Sequence, residues 1–171
     1  MSEAMDIYLD SDAQCVYPQA LQAAQWYALD LYIVTKDYLP EAANVHLILM
    51  QEGQKNGGAW IVGNIARGDI CVTVDAELAS GCMLRGAVAL SLTGRQWGVD
   101  VLREGARGAP EAGPSNPRGF AQRLETTILA NRGTFLRGVA PVRDFVRPMA
   151  ARSPIRRANQ PFHAEVIRGG V

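Results

Sequence analysis

The strongest constraint on the fold is a short apolar run that stops at an acid and gives way to helical spacing. Ile7-Tyr8-Leu9 ends at Asp10, and from Pro18 to Ala28 the apolar residues return at helical intervals, with Leu21, Ala24 and Ala28 on one face. Leu29 to Thr35 (LDLYIVT) is rich in β-formers again. Strand, helix, strand in that order predicts a βαβ unit with a right-handed crossover and a parallel sheet. The design recurs at Ile70 to Val74 (ICVTV), a β-branched run suited to a parallel strand buried on both faces, which ends at Asp75. A helix from about Ala76 to Leu84 should follow, turning Leu78, Ala79, Cys82 and Met83 inward. Ala87 to Leu92 (AVALSL) reads as a further strand, stopped by Thr93-Gly94.

Between these units, Val45 to Met50 (VHLILM) predicts a strand. The link before it holds Pro40 and is short for a helical crossover, which leaves its direction open. Asn56-Gly57-Gly58 signals a turn; Trp60, Ile61, Asn64 and Ile65 then give a short helix that Arg67-Gly68 ends. Glu104 to Pro117 is rich in Gly, Ala and Pro and predicts an exposed loop. Phe120, Leu124 and Ile128 recur at fourfold spacing and give the next helix an apolar face. Val142, Phe145, Val146 and Met149 suggest a short helix between Pro141 and Pro148, and a basic, poorly ordered tail is expected from Ala150 onward. The expected organisation is one α/β domain over 5–132, with a mostly parallel sheet of about five strands and helices on both faces, followed by a basic C-terminal extension over 133–171.

Composition narrows the class. The chain has 171 residues, enough for one sizeable core, and 48% of them are apolar, which argues against general disorder. Glu3 and Asp6 precede the first apolar run without a basic stretch, and no run has the length of a membrane span, so a cytoplasmic protein is expected. Cys15, Cys71 and Cys82 are scattered, with only His46 and His163 as imidazole partners, which predicts neither a disulfide framework nor a structural zinc site. A net charge of +0 conceals an asymmetry: eleven acids against three bases up to Leu84, then fourteen arginines against six acids. An arginine-rich second half can hold RNA or DNA phosphates through counterion release, although single surface arginines are ordinarily just solvated.

Open α/β sheets bind ligands beyond the carboxyl ends of their strands, where Asp10, Asp12 and Asp75 should gather. Clustered carboxylates repel one another unless a cation neutralises them, and their hard oxygens suit Mg²⁺ or Mn²⁺. Such an ion positions phosphate and activates water for hydrolysis. On this reading Asp10, Asp12 and Asp75 are metal ligands and Glu77 joins them as a catalytic or supporting acid. Each also has a plain explanation: Asp12 caps the first helix, Asp75 caps the helix after its strand, and Glu77 favours that helix's positive end. Capping does not account for Asp10.

The residues resemble the YaiI/YqxD family. Ile7-Tyr8-Leu9-Asp10-Ser11-Asp12-Ala13 is similar to its opening strand followed by Asp-Ala-Asp-Ala. Trp60-Ile61-Val62, then Gly68-Asp69 and the strand to Thr73-Val74-Asp75, resembles a second block. Gly86-Ala87-Val88-Ala89-Leu90 and Gly113-Pro114 resemble a third and fourth, so the likeness runs from about Met5 to Arg132. It implies a PIN-like three-layer sandwich and, by analogy with PIN nucleases, metal-dependent phosphodiester cleavage with roles for Asp75 and Glu77. The chain departs from the pattern at Gln14-Cys15, where the family has Cys-Pro, and at Gly58-Ala59, where it has an acidic pair. It departs again at Ser115-Asn116-Pro117-Arg118, where a Ser and an Asp-Arg are expected. A missing carboxylate predicts a weaker or wetter metal site.

Among other residues, Cys15 near a helix N-terminus has the setting of a reactive thiol but no histidine partner in view. Gly53, Gly57 and Gly58 form a turn rather than a phosphate loop. His46 reads as a satisfied core or edge histidine. Trp26, Tyr27 and Trp60 read as core, and Trp97 as an exposed ring able to stack a base. Three functions follow as expectations: a metal-dependent nuclease; a catalytically degenerate PIN-like protein that binds nucleic acid or a protein partner; and a structural protein assembling through the apolar face near Phe145.

Overall fold

The computed structural model describes residues 4–40, 42–51, 57–104, 116–138 and 164–167. Six strands form one sheet in the order β5-β4-β1-β2-β3-β6, from β1 (Ile7–Leu9), β2 (Leu31–Thr35), β3 (Val45–Met50), β4 (Ile70–Val72), β5 (Val88–Leu90) and β6 (Ala164–Ile167). All strand pairings are parallel, with a lone antiparallel bridge from Leu90 to Gln96. Val45–Met50, whose direction the sequence left open, runs parallel to β2 although no helix joins the two. The short link is held by its own polar groups: Thr35 Oγ1 accepts from Asp37 N–H at 2.9 Å, and Val45 N–H donates to Ala42 O.

Two helical layers complete an α/β three-layer sandwich. On one face, α1 (Tyr17–Trp26) and α5 (Pro117–Gly138) lay Ala20, Ala24, Phe120, Leu124 and Ile128 on Ile7, Leu9, Leu31 and Ile33. On the other, α2 (Gly57–Asn64) and α3 (Ala76–Leu84) cover Tyr8, Tyr32 and Cys71 with Ile61, Leu78 and Cys82. A short helix α4 (Val101–Glu104) packs Val101 with Trp97 against Ala79 and Ala89. Burying each large aliphatic side chain contributes roughly 1.5–3 kcal/mol. Alternate residues of β1 serve opposite layers, and all three are buried, as a central parallel strand requires.

Two polar devices fix the frame. Asp69, fully buried, accepts from Asp6 N–H at 2.9 Å and from Ala66 N–H at 2.8 Å, tying the start of β1 to the turn before β4. Gly94, at φ 78°, turns the chain after β5; a Cβ there would lie 2.7 Å from Arg123 Cβ, so only glycine lets α5 pack this close. Across β1, β2 and β3 the Tyr8, Tyr32 and His46 rings stack at 4.9 and 4.6 Å, and His46 Nε2 lies 3.5 Å from Asp30 Oδ1. His46 thus belongs to the ring packing on an inner strand, β3 being flanked by β2 and β6.

Several expectations need correction. The first helix begins as a 3-10 helix over Ser11–Val16 and ends at Trp26, with Ala28 beyond it in the left-handed region at φ 53°. Trp26, expected in the core, is 79% exposed, because the buried stripe of α1 runs through Tyr17, Ala20 and Ala24 and faces away from it. Trp97, expected as an exposed stacking ring, is 3% exposed, and its Nε1 donates to Thr73 O at 3.2 Å. Within the stretch expected as a poorly ordered tail, Ala164–Ile167 pairs with β3 and adds a strand to the sheet of about five that was expected. The helix expected between Pro141 and Pro148, the Phe145 face and most of the Glu104 to Pro117 loop lie outside the described residues. No described helix is long and apolar enough to cross a membrane.

Candidate functional site

Strand order reverses between β1 and β4: β2 and β3 extend the sheet one way and β5 the other. Helices on either side of such a switch point diverge and leave a crevice at the carboxyl ends of the strands. Asp10 follows β1 and Thr73 follows β4, and Asp10 N–H donates to Val72 O across the pair. The Asp10 carboxylate therefore stands at the switch point, where such a crevice is expected.

Asp10 is 7% exposed. Its Oδ1 accepts from Ser11 N–H at 2.7 Å, capping the 3-10 helix, and its Oδ2 accepts from the Thr73 hydroxyl at 3.1 Å. Burial raises its pKa above the ordinary carboxylate value; the Ser11 and Thr73 bonds oppose this, and the Asp12 and Asp75 carboxylates push it up further. Asp12 and Asp75 thus each lie within electrostatic reach of Asp10. The expected division of labour changes, since Asp10 is the cap and Asp12 stands exposed in the first turn beyond it. Asp75 does cap α3: its Oδ1 accepts from Glu77 N–H at 2.8 Å and from Leu78 N–H at 3.4 Å. Glu77 is exposed in the first turn of that helix.

A buried carboxylate beside two others is an all-oxygen, anionic donor set, which fits a hard divalent cation in chemistry. Among the described residues, however, no three His, Cys, Asp or Glu side chains stand close enough to form a metal cage. An ion here would rest on one or two carboxylates and keep much of its water, as Mg²⁺ commonly does.

The hydroxyls at the strand ends escaped the sequence reading. Thr73 Oγ1 also accepts from Asp75 N–H at 3.0 Å, Gln14 Nε2 donates at 2.6 Å to Oγ1 of Thr35, the last residue of β2, and Ser91 Oγ lies 2.9 Å from Thr93 Oγ1 beyond β5. The available signal was that three parallel strands each run into Ser or Thr. Among the described residues the arginines are dispersed: Arg123 donates to Thr93 O beyond β5, whereas Arg132 stacks on Tyr27 and Arg85 donates to Ile65 O. Arg143 and Arg147, with the basic residues from Arg152 to Arg157, lie outside the described residues. All three cysteines are free. Cys15 is exposed; the bond to Cys82 and burial hold the Cys71 thiol well above its ordinary range, which makes that buried pair inert.

Residues 8–106 match the profile described as the uncharacterized BCR, YaiI/YqxD family. A UPF0178 protein of Rhodospirillum rubrum is 29% identical over 145 residues, covering 74% of this chain and 97% of its own length. Another, from Rhodospirillum centenum, is 32% identical over 139 residues, covering 80% of this chain and 84% of its own length. No solved structure matches the chain. Spanning both the Asp10 strand and the Thr73-Val74-Asp75 strand end, the profile match establishes that the chain belongs to the YaiI/YqxD family, which is uncharacterised.

Proposed function

We propose that the chain is a divalent-metal-dependent phosphodiesterase acting on nucleic acid, in the manner of PIN-like nucleases. One observation carries the reading: Asp10 is buried at the switch point, with Asp12 and Asp75 close enough to raise its pKa further. Leaving three such carboxylates near one another without a counter-charge costs stability, and a cation removes that cost. Asp10 and Asp75 would hold Mg²⁺ or Mn²⁺, with Asp12 a neighbouring negative charge rather than a third close ligand. When bound, the ion would supply Lewis-acid activation of phosphate and of water. Thr73 holds the Asp10 carboxylate through one hydrogen bond, and Arg123, bonded to Thr93 O beyond β5, would offer a positive charge to a phosphate. Glu77, exposed in the first turn of α3, would orient water. Calorimetric titration of Mn²⁺ into the wild type and into folded Asp10→Asn and Asp75→Asn variants tests this. Binding that vanishes in both variants, followed by cleavage of RNA or DNA, supports it.

A second reading is a catalytically degenerate member that binds nucleic acid or a protein partner without cleaving. The absence of a three-acid cage among the described residues favours it, as does the use of Asp75 Oδ1 as a helix cap. A folded wild type that takes no Mn²⁺ yet retains labelled RNA would establish this reading over the first.

A further inference from the structure

Thr73 uses every polar group it has. Its N–H donates to Leu90 O at 3.0 Å, its hydroxyl donates to Asp10 Oδ2 and accepts from Asp75 N–H, and its carbonyl oxygen accepts from Trp97 Nε1 at 3.2 Å. The last of these replaces a bond the sheet cannot make. In a continuing parallel ladder, the register that pairs Val72 with Leu90 would bring the Leu92 amide to Thr73 O. β5 stops at Leu90, and the turn through Gly94 leads the chain away. The Trp97 indole supplies the donor that the strand no longer does, so a buried carbonyl is not left unsatisfied.

Trp97 is held independently of the acids. Its backbone N–H donates to Ala89 O at 2.9 Å, beside the antiparallel bridge from Gln96 to Leu90, and its ring packs with Ala79, Ala89 and Val101. The carbonyl it grips belongs to the peptide plane joining Thr73 to Val74. From that plane the chain turns back so that Asp75 N–H reaches the Thr73 hydroxyl, and there Asp75 begins its cap on α3. Val74, in the middle of the turn, is exposed, so burial of its side chain does little to hold the turn in place.

We infer that Trp97 is a positioning residue for the acids at the switch point, fixing the turn over 73–75 through its one indole hydrogen bond. It acts on Asp75 and Asp10 through Thr73, whose hydroxyl bonds to both residues. The inference deepens the reading of these acids as a divalent-ion site and rests on that reading for its affinity measurement, whereas its metal-free measurement stands without it. A carboxylate turned away from the ion loses its share of the binding, so the geometry of this turn sets how well Asp75 and Asp10 serve one ion together.

Two variants of the full chain separate positioning from packing. Trp97→Phe keeps a ring beside Ala79, Ala89 and Val101 and removes the donor, whereas Val101→Ala loosens the same cluster and keeps it. The first measurement is amide hydrogen exchange without metal, read as the rate at Asp75 N–H relative to Val88 N–H, which donates to Asp69 O. Trp97→Phe should raise that ratio about tenfold or more, and Val101→Ala should leave it unchanged. The second is calorimetric titration of Mn²⁺, which Trp97→Phe should weaken about tenfold or more and Val101→Ala should not. An unchanged exchange ratio in Trp97→Phe, or an equal rise in Val101→Ala, overturns the role. So does a raised ratio with undiminished Mn²⁺ affinity, because the turn would then move without consequence for the ion. If the wild type takes no Mn²⁺, the ion-site reading falls, and the exchange ratio alone decides whether Trp97 fixes the turn. Should Trp97→Phe fail to fold, benzothienylalanine at position 97, which keeps the two-ring shape and lacks the N–H, takes its place with the same expected results.

Discussion

Thr73 Oγ1 donates to Asp10 Oδ2 across 3.1 Å and accepts from Asp75 N–H at 3.0 Å, so one hydroxyl links the acids on either side of the switch point. Thr73 is fully buried, and Thr73→Val keeps its shape while removing both bonds. Leaving a buried carboxylate short of a donor is expected to cost about 1–3 kcal/mol in urea unfolding. Thr73→Ser restores the hydroxyl and should recover most of that loss. Equal destabilisation in both variants would show that the methyl group, not the hydroxyl, matters.

Asp10 makes stability depend on pH. Burial, then its carboxylate neighbours, place its folded pKa above the unfolded value of about 3.9, so the folded chain holds this proton more tightly. The resulting stabilisation is fully present below the unfolded pKa and is lost as pH rises through the folded one. Asp10→Asn lacks that dependence. The variant's Tm relative to wild type should therefore climb from about pH 4 upward and then level off. Excess Mn²⁺ should raise the Tm of the wild type and leave the variant where it was. Thermal unfolding across this pH range, with and without Mn²⁺, checks both statements; a pH-independent difference contradicts the first.

The fold was legible where one pattern had one meaning. The runs ending at Asp10 and Asp75 were apolar on both faces, which only a central parallel strand needs, and both acids stand at the carboxyl edge of the sheet. What escaped depended on long-range geometry. Trp26 is apolar and helical, yet the α1 stripe is set by Ala20 and Ala24, whose small side chains let the helix sit close to the sheet. Trp97 follows a turn and reads as surface until β5 and α4 enclose it and Thr73 O accepts its N–H. Helix capping was legible as chemistry, but at the first helix it went to Asp10 instead of Asp12, because the chain enters a 3-10 turn directly from β1. Four residues pairing with β3 from far along the chain leave no signature that composition can carry.

Ala28 sits just past the C-cap of α1 at φ 53°, exposed, in the left-handed conformation that glycine adopts without cost. An L-residue with a Cβ pays roughly 1–2 kcal/mol there. Ala28→Gly is therefore expected to stabilise the chain by about 1 kcal/mol, net of the glycine's greater freedom when unfolded. For a chain of this size that is a rise in Tm of about 2–4 °C. Calorimetry on the two proteins at one pH decides it, and a lower Tm in the variant would mean that the turn does not strain Ala28.

Gly58 offers the most direct test of why the acidic crevice lacks a cage. It lies at the start of α2, where a Cβ would meet Leu78 side-chain carbons at 3.8 Å, an ordinary contact, and Leu78 lies in the first turn of the helix that Asp75 caps. A carboxylate can thus be added beside Asp75 without displacing the core. Gly58→Asp should also favour α2 twice over, by removing a helical glycine and by placing a negative charge in its first turn. If the crevice binds a divalent ion through too few carboxylates, this one should tighten Mn²⁺ binding by about tenfold, a gain of about 1.4 kcal/mol. The same substitution in an Asp10→Asn background should gain nothing, because the ion's anchor is gone. Tightening that persists without Asp10 would place the ion elsewhere on the sheet edge. A folded Gly58→Asp with unchanged Mn²⁺ affinity would mean that the orientation of Asp75, fixed by its capping bonds, is what keeps the ion from being held.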